Sequence, residues 1–362
     1  MRVGILGAGA VAYGSAAFLC ANGHEARLWS PSGRRTEALA AGAPLVSEGV
    51  VAGEFHPVIA GSCAAALDGA DVALVALPAN GYRMVLEAMA PHLRPGQVVI
   101  VSAHASFGAL YLSRLLAARG LELPIVALST TVLRARQTSP TRVRVATLRG
   151  KVDMATVPAA AAAEGLAACN ALFGERFLPR ADLLAVALSN VNPQSHLALA
   201  LCNFTRMEKG EAWGQSEHMT ESVGRLLEAV DAERLAIAAA FGREVRSMRQ
   251  HYSLTYGLPD APVAESARIL AARDAPTLGP ATIQTRYTLE DVPFGLVPLA
   301  WLGRLAGVPV PLHEAGIALF SALYGRDLAA ENDLLPALEA QGLAEEILAE
   351  RGIGRSPAAA GN

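Results

Sequence analysis

A chain of 362 residues has room for two domains of ordinary size, and with 52% hydrophobic but only 5% aromatic residues its core must be built mainly from Ala, Leu and Val. A formal net charge of −3 argues against a nucleic-acid or anionic-membrane partner. Nearly all basic residues are arginine; with Lys151 and Lys209 the sole lysines, lysine-based chemistry has just two candidates.

In chain order, residues 3–6 (VGIL) are a short apolar run that predicts a buried strand. Gly7-Ala8-Gly9-Ala10-Val11-Ala12 follows, then a helical pattern to about residue 21. A G-x-G-x-x-A stretch between a strand and a helix is where a dinucleotide fingerprint belongs. Gly7 permits the tight turn, Gly9 lets backbone amides approach a pyrophosphate, Ala12 keeps helix and strand close, and the helix N-terminus favours the phosphates. Gly4, Gly7, Gly9 and Gly14 interrupt what would otherwise mimic a signal peptide after Arg2, and no other run suits a membrane span. The second strand, residues 25–29, runs into Ser30-Pro31-Ser32-Gly33-Arg34-Arg35. An acid at that strand end would hold a ribose 2′-hydroxyl; hydroxyls with Arg34 and Arg35 suit a 2′-phosphate, so NADP is expected to be preferred over NAD. The plainer reading is that the two arginines begin a solvated helix.

Residues 71–77 (DVALVAL) predict a continuous buried strand whose end, Leu77 and Pro78, borders the cofactor crevice. Residues 97–102 and 124–128 are further strands, separated by a helix reaching about residue 120. His104, at a strand end, reads first as a loop histidine and second as a substrate contact. Residues 142–147 and 151–156 are expected to form a terminal strand pair. Strands alternating with helices predict an N-terminal Rossmann-type α/β domain over residues 1–180, a doubly wound parallel sheet. Cys20, Cys63, Cys169 and Cys202 lie far apart without a zinc-ligand pattern, as expected of reduced, buried thiols in a cytoplasmic protein with no metal centre.

The pattern then becomes helical, predicting an all-α domain over residues 181–354 and a disordered tail over 355–362. Residues 183–208 are apolar for most of their length but carry Ser189, Asn192, His196, Asn203 and Arg206. At about 100° per residue these five share roughly a third of a helix circumference, a stripe that faces water or a site. Pro193 suits the start of a helix, with Asn192 as N-cap and His196 in the first turn. A lone histidine is by default a satisfied core residue; its polar neighbours argue otherwise. Residues 217–252 carry helical spacing throughout. A second polar cluster, Arg286-Tyr287-Thr288-Leu289-Glu290-Asp291, precedes an apolar helix over 296–307; taken alone, Arg286 reads as a surface charge and Asp291 as a cap. Trp213, His218 and Tyr252 are at least as suited to packing as to a pocket wall.

Three features together resemble the opine dehydrogenase family, which includes octopine and nopaline dehydrogenases. They are the N-terminal dinucleotide motif; Asn192-Pro193-Gln194-Ser195-His196 with Asn203 and Arg206-x-Glu208 beyond it; and Arg286-x4-Asp291-Val-Pro-x-Gly-Leu-Val-Pro with Gly303 and Gly307-Val308-Pro309. The resemblance spans nearly the whole chain in the right order. It implies NAD(P)H-dependent reduction of the imine formed between a 2-oxo acid and the amino group of an amino acid. It also implies His196 as the acid/base residue, Asp291 as its orienting partner and Arg286 as the ligand of a substrate carboxylate, with Asn192 as a further substrate contact. The residue types suit the chemistry: histidine delivers a proton near neutral pH, a carboxylate fixes its tautomer, and a guanidinium grips a carboxylate in two places.

Two other readings compete. Reductases of the ketopantoate, glycerol-phosphate or 6-phosphogluconate type share this layout but use a lysine, and neither Lys151 nor Lys209 falls on the helix face of His196. A dinucleotide-sensing protein would keep the glycine turn and need no polar stripe. Which 2-oxo acid and which amine react is not legible; a homodimer through the Ala/Leu-rich helices is the expected assembly.

Overall fold

The computed structural model describes residues 1–274 and 277–350; the tail expected over 355–362 lies outside them. The chain divides into two compact units, residues 1–187 and residues from Leu188 onward.

The first unit is built on an eight-stranded sheet in the order Phe177–Pro179, Val152–Val157, Ile125–Leu128, Val98–Ser102, Val72–Val75, Arg2–Leu6, Glu25–Trp29, Val58–Ile59. From Ile125–Leu128 to Val58–Ile59 every neighbouring pair is parallel; Val152–Val157 runs antiparallel to Ile125–Leu128. Strands buried on both faces need apolar residues at successive positions, which is why Val72–Val75 and Val98–Ser102 are buried throughout. The unit is thus a mostly parallel α/β sheet of the Rossmann type.

The predicted pairing of residues 142–147 with 151–156 does not occur. Arg142–Leu148 pairs antiparallel with Leu133–Ser139 and parallel with Leu45–Gly49, in a second sheet of four strands completed by Gly53–Phe55. The burial patterns explain the separation. Arg142–Leu148 alternates exposed arginine with buried valine and suits a sheet with one wet face, whereas Val152–Val157 is buried at five successive positions and joins the main sheet. The second sheet lies on the helix Ala10–Ala21. A Cβ at Gly14 would stand 2.8 Å from Leu133 Cδ1 and 3.1 Å from Ala135 Cβ, so only glycine permits that approach.

The second unit is helical. Its core gathers Leu197, Leu199, Leu227, Val230, Val263 and Phe320. The helicity expected over 217–252 is divided into Glu221–Ala240 and Met248–Tyr256. Ser247 caps the second of these through a reciprocal bond with Gln250. Across this break, fully buried Arg234 binds Asp231 and the carbonyl oxygens of Leu188 and Arg246, while Asp231 accepts the Met248 N–H at 2.7 Å. A buried charge is tolerated where, as here, it is paired and hydrogen-bonded. Among the described residues no helix is long and apolar enough to cross a membrane. Of the cysteines, Cys63 and Cys169 are buried, but Cys202 is exposed, because the end of its helix turns it out of the core.

Candidate functional site

The expected central helix is three segments, Leu183–Ser189, Asn192–Cys202 and Phe204–Glu208. Proline in the first turn of the middle segment needs no backbone donor there. Asn192 is the first helical residue rather than the N-cap. The cap position is Val191, and the Asn190 side chain takes the Asn192 N–H at 3.1 Å, so the local polar anchor lies two residues upstream of the expected one. His196 is therefore the fifth residue of its helix, past the first turn. The polar stripe disperses: Asn203 is buried and donates to the Leu199 carbonyl at 3.0 Å, and Arg206 pairs with Glu211 on the surface.

His196 and Asp291, 95 positions apart, meet with Nδ1 and Oδ2 at 2.6 Å. A carboxylate only accepts, so Nδ1 carries the proton, and for Nε2 no partner is found among the described residues. The Asp291 side chain makes no cap bond although it precedes the π-turn Val292–Leu296; it is spent on the imidazole. Irregular turns of this kind often mark functional sites. The approach of the two segments depends on Gly295: a Cβ there would stand 2.5 Å from Pro193 Cγ. Asn332 holds the π-turn from its other side, donating to the Pro293 carbonyl at 2.7 Å and accepting the N–H groups of Leu334 and Leu335.

Tyr287 completes the setting, its ring stacked on His196 with centroids 3.6 Å apart and planes at 12°. Its hydroxyl accepts from Gln215 Nε2 at 2.7 Å, and burial raises its pKa. Arg286, the first residue of the short helix Arg286–Leu289, is exposed, with Nε 3.6 Å from Glu290 Oε2. The His196 side chain retains 12% exposure. Burial lowers its pKa most; the charge and hydrogen bond of Asp291 pull it back up, and the Arg286 guanidinium pushes it down again. The net displacement is downward, so the ring without substrate favours its neutral form.

The other pocket-wall candidates are packing residues. Trp213 is buried, donates to the Pro280 carbonyl at 3.0 Å and covers Gly279, where a Cβ would strike its ring. His218 Nδ1 bonds the Gly214 carbonyl and its ring edges onto Trp213. Tyr252 lies against Tyr256, with ring centroids 5.5 Å apart. Tyr287 and Gln215 were not singled out by sequence reasoning: an aromatic next to Arg286 and a glutamine 72 residues before it carry no spacing signal.

In the first unit Gly7 has φ +139°, and a Cβ would stand 2.2 Å from the Ala76 carbonyl oxygen. Gly9 is the N-cap of the helix Ala10–Ala21 without a side-chain cap, which leaves the first-turn N–H groups of Ala10, Val11 and Ala12 for a ligand. Ala8 and Ala12 are buried. Arg35 is exposed, and its Nη1 lies 4.0 Å from where a Gly9 Cβ would stand; its carbonyl accepts from the Tyr13 hydroxyl. Ser30 follows the strand Glu25–Trp29, and its backbone carbonyl accepts the Gly33 N–H, forming a turn that leaves Arg34 exposed. Leu77 and Pro78 follow the strand Val72–Val75. An uncapped helix start beside a guanidinium fits a dinucleotide pyrophosphate. His104 is buried, with no hydrogen-bond partner for either ring nitrogen among the described residues; burial lowers its pKa to about 4, and it edges onto Phe107. Lys151 and Lys209 are both exposed, the first just before the strand Val152–Val157 and the second just after the helix Phe204–Glu208.

The profile of the NAD/NADP octopine/nopaline dehydrogenase α-helical domain matches residues 179–324, and that of the coenzyme F420-dependent NADP oxidoreductases matches residues 2–105. An opine dehydrogenase of Arthrobacter sp. (strain 1C) is 33% identical over 343 residues, covering 94% of this chain and 95% of its own length. Octopine dehydrogenase in complex with NADH and agmatine superposes with a TM-score of 0.74 at 18% identity, over 89% of both chains. NADP+-bound yersinopine dehydrogenase does so with a TM-score of 0.71 at 19% identity, over 97% of this chain and 99% of its own. At such identities the superpositions speak for the fold, and the family rests on the Arthrobacter relative. The chain belongs to the opine dehydrogenase family of NAD(P)-dependent oxidoreductases.

Proposed function

We propose that this protein condenses a 2-oxo acid with the amino group of an amino acid and reduces the resulting imine, with His196 as acid/base residue. The observation that carries the reading is the 2.6 Å bond between His196 Nδ1 and Asp291 Oδ2, with Nε2 left for the substrate. The dinucleotide supplies the hydride. His196 Nε2–H delivers one proton to the hydroxyl of the amine–oxo acid adduct. The C–O bond breaks, water leaves, and the C=N carbon of the protonated imine is ready for reduction to a secondary amine. Asp291 stabilises the imidazolium before the transfer and fixes the tautomer after it.

Arg286 grips the carboxylate of the 2-oxo acid, and Asn192 contacts substrate from the start of the His196 helix. The Arg286 charge, which depresses the His196 pKa, would then be neutralised by the bound carboxylate. Substrate binding thus raises the proton affinity of the residue that must act as acid.

Gly7, Ala8, Gly9, Ala10, Val11 and Ala12 form the pyrophosphate turn, with Arg35 beside it. Ser30 and Arg34 receive a 2′-phosphate, and Leu77 and Pro78 border the nicotinamide end. NADP is preferred over NAD, because the end of the strand Glu25–Trp29 carries no acid to hold an unmodified ribose. The test is a matrix of pyruvate, 2-oxoglutarate and oxaloacetate against amino acids, with NADPH or NADH, followed by the loss of reduced-nicotinamide absorbance. The expected result is oxidation that needs both organic substrates, with a lower KM for NADPH. Oxidation driven by a 2-oxo acid alone would point to a hydroxyacid reductase, and no consumption anywhere in the matrix to a sensor. A lower KM for NADH would overturn the cofactor assignment.

A further inference from the structure

Behind the His196 helix lies a second polar chain, largely buried and unused by the proposed chemistry. Glu233, on the helix Glu221–Ala240, takes three donors: the N–H groups of Leu312 and His313 at 2.8 and 3.1 Å, and His313 Nδ1 at 2.6 Å. Burial pushes the Glu233 pKa up, but these hydrogen bonds outweigh it and hold the carboxyl below its ordinary range. With Nδ1 engaged by Glu233, the His313 ring turns Nε2 to Gln194, whose Nε2 stands 3.3 Å from it. His313 and Gln194 are both 0% exposed. Gln194 lies in the first turn of the helix Asn192–Cys202, two residues before His196 and therefore on nearly the opposite face.

The first turn of a helix has no backbone acceptors for its N–H groups, and its orientation rests on side-chain anchors. Here the anchors pull from two sides. Asp291 holds His196 on one face, and the Gln194–His313–Glu233 chain ties the other face to the helix Pro311–Tyr324. The Leu197 side chain packs directly on the partner helix there: a Cβ at Gly316 would stand 2.4 Å from Leu197 Cδ1.

We infer that Gln194, His313 and Glu233 are positioning residues that set the rotation of the helix carrying His196, and so hold the imidazole at bonding distance from Asp291. The inference rests on His196 being the acid/base residue. A small misplacement of a reacting group is costly, so severing the chain acts on turnover rather than on substrate affinity. It also loosens the bond that raises the His196 pKa against burial and Arg286. Imine reduction needs protonated His196, so its alkaline limb then moves to lower pH.

The experiment is steady-state kinetics across pH on Gln194→Met, which keeps the volume and removes the amide, and on Glu233→Gln. His196→Ala is run alongside. Folding is checked by thermal melting, and the first unit by quenching of protein fluorescence with NADPH. The expected result for Gln194→Met is a kcat about tenfold lower, KM values within about twofold, and an alkaline limb displaced to lower pH. Should that variant not fold, Glu233→Gln must show the same split and displacement. Unchanged kcat and limb, or a fall in kcat matched by rising KM with the limb in place, would reduce the chain to packing. If His196→Ala itself retains turnover, the acid/base assignment fails instead, and the two failures are told apart.

Discussion

Two histidine–carboxylate pairs in the helical unit share a 2.6 Å Nδ1–O separation: His196 with Asp291, and His313 with Glu233. What separates them is the second ring nitrogen. At His313 it is used on Gln194 in a site closed to water; at His196 no partner is found for it among the described residues, and the side chain keeps 12% exposure under a stacked tyrosine. A short imidazole–carboxylate bond is therefore no sign of catalysis by itself. A fully engaged ring anchors two helices, while a ring with a vacant nitrogen can move a proton to a ligand.

The strongest way to break this comparison is to truncate both rings. His196→Ala should lower kcat by about three orders of magnitude, general acid catalysis contributing roughly 10²–10⁴-fold, with little change in melting temperature. His313→Ala should instead destabilise by about 1–3 kcal/mol, because it takes the imidazole donor from the Glu233 carboxylate and leaves the buried Gln194 amide without its partner. Equal activity losses with equal melting temperatures would erase the distinction. Gly295→Ala sharpens it at the backbone. The new Cβ meets Pro193, and overpacking of this kind costs about 1–3 kcal/mol. Denaturant melts should show that loss together with a fall in kcat, whereas an unperturbed variant would show that the two segments have slack. The smallest effect is expected at Arg286→Lys, where loss of the planar fork should raise the KM of the 2-oxo acid about tenfold with kcat less affected. In the unsubstituted protein the alkaline limb of kcat should lie at higher pH than that of kcat/KM, since bound carboxylate cancels the Arg286 charge. Coincident limbs would place the carboxylate elsewhere.

Much of this was legible in the residues. The glycine turn could be read because a tight turn and a close backbone approach admit so few residue types: a Cβ at Gly7 would collide with Ala76. The buried strands were legible as unbroken apolar runs. The meeting of His196 with Asp291 was legible only through a family resemblance, since nothing in spacing links positions 95 apart. The second sheet was missed because its strands are half wet, and its seat on Gly14 depends on contacts distant in sequence. The Asn192 cap was misplaced because Asn190 offers the same side chain two residues earlier. The Glu233–His313–Gln194 chain was invisible for the same reason that Tyr287 was: each member is an ordinary helical residue until tertiary packing brings it to its partner.

The most direct measurement is the pH profile of kcat/KM for imine reduction by the unsubstituted protein and by Asp291→Asn. Asp291 is what raises the His196 pKa against burial and Arg286. Without its charge the protonated ring should persist only at lower pH, so the alkaline limb should move down by a unit or more, about the size of shift a nearby opposite charge produces, with kcat/KM near neutrality falling about a hundredfold. An alkaline limb at the same pH in both proteins would contradict the claim that Asp291 holds and charges the proton donor.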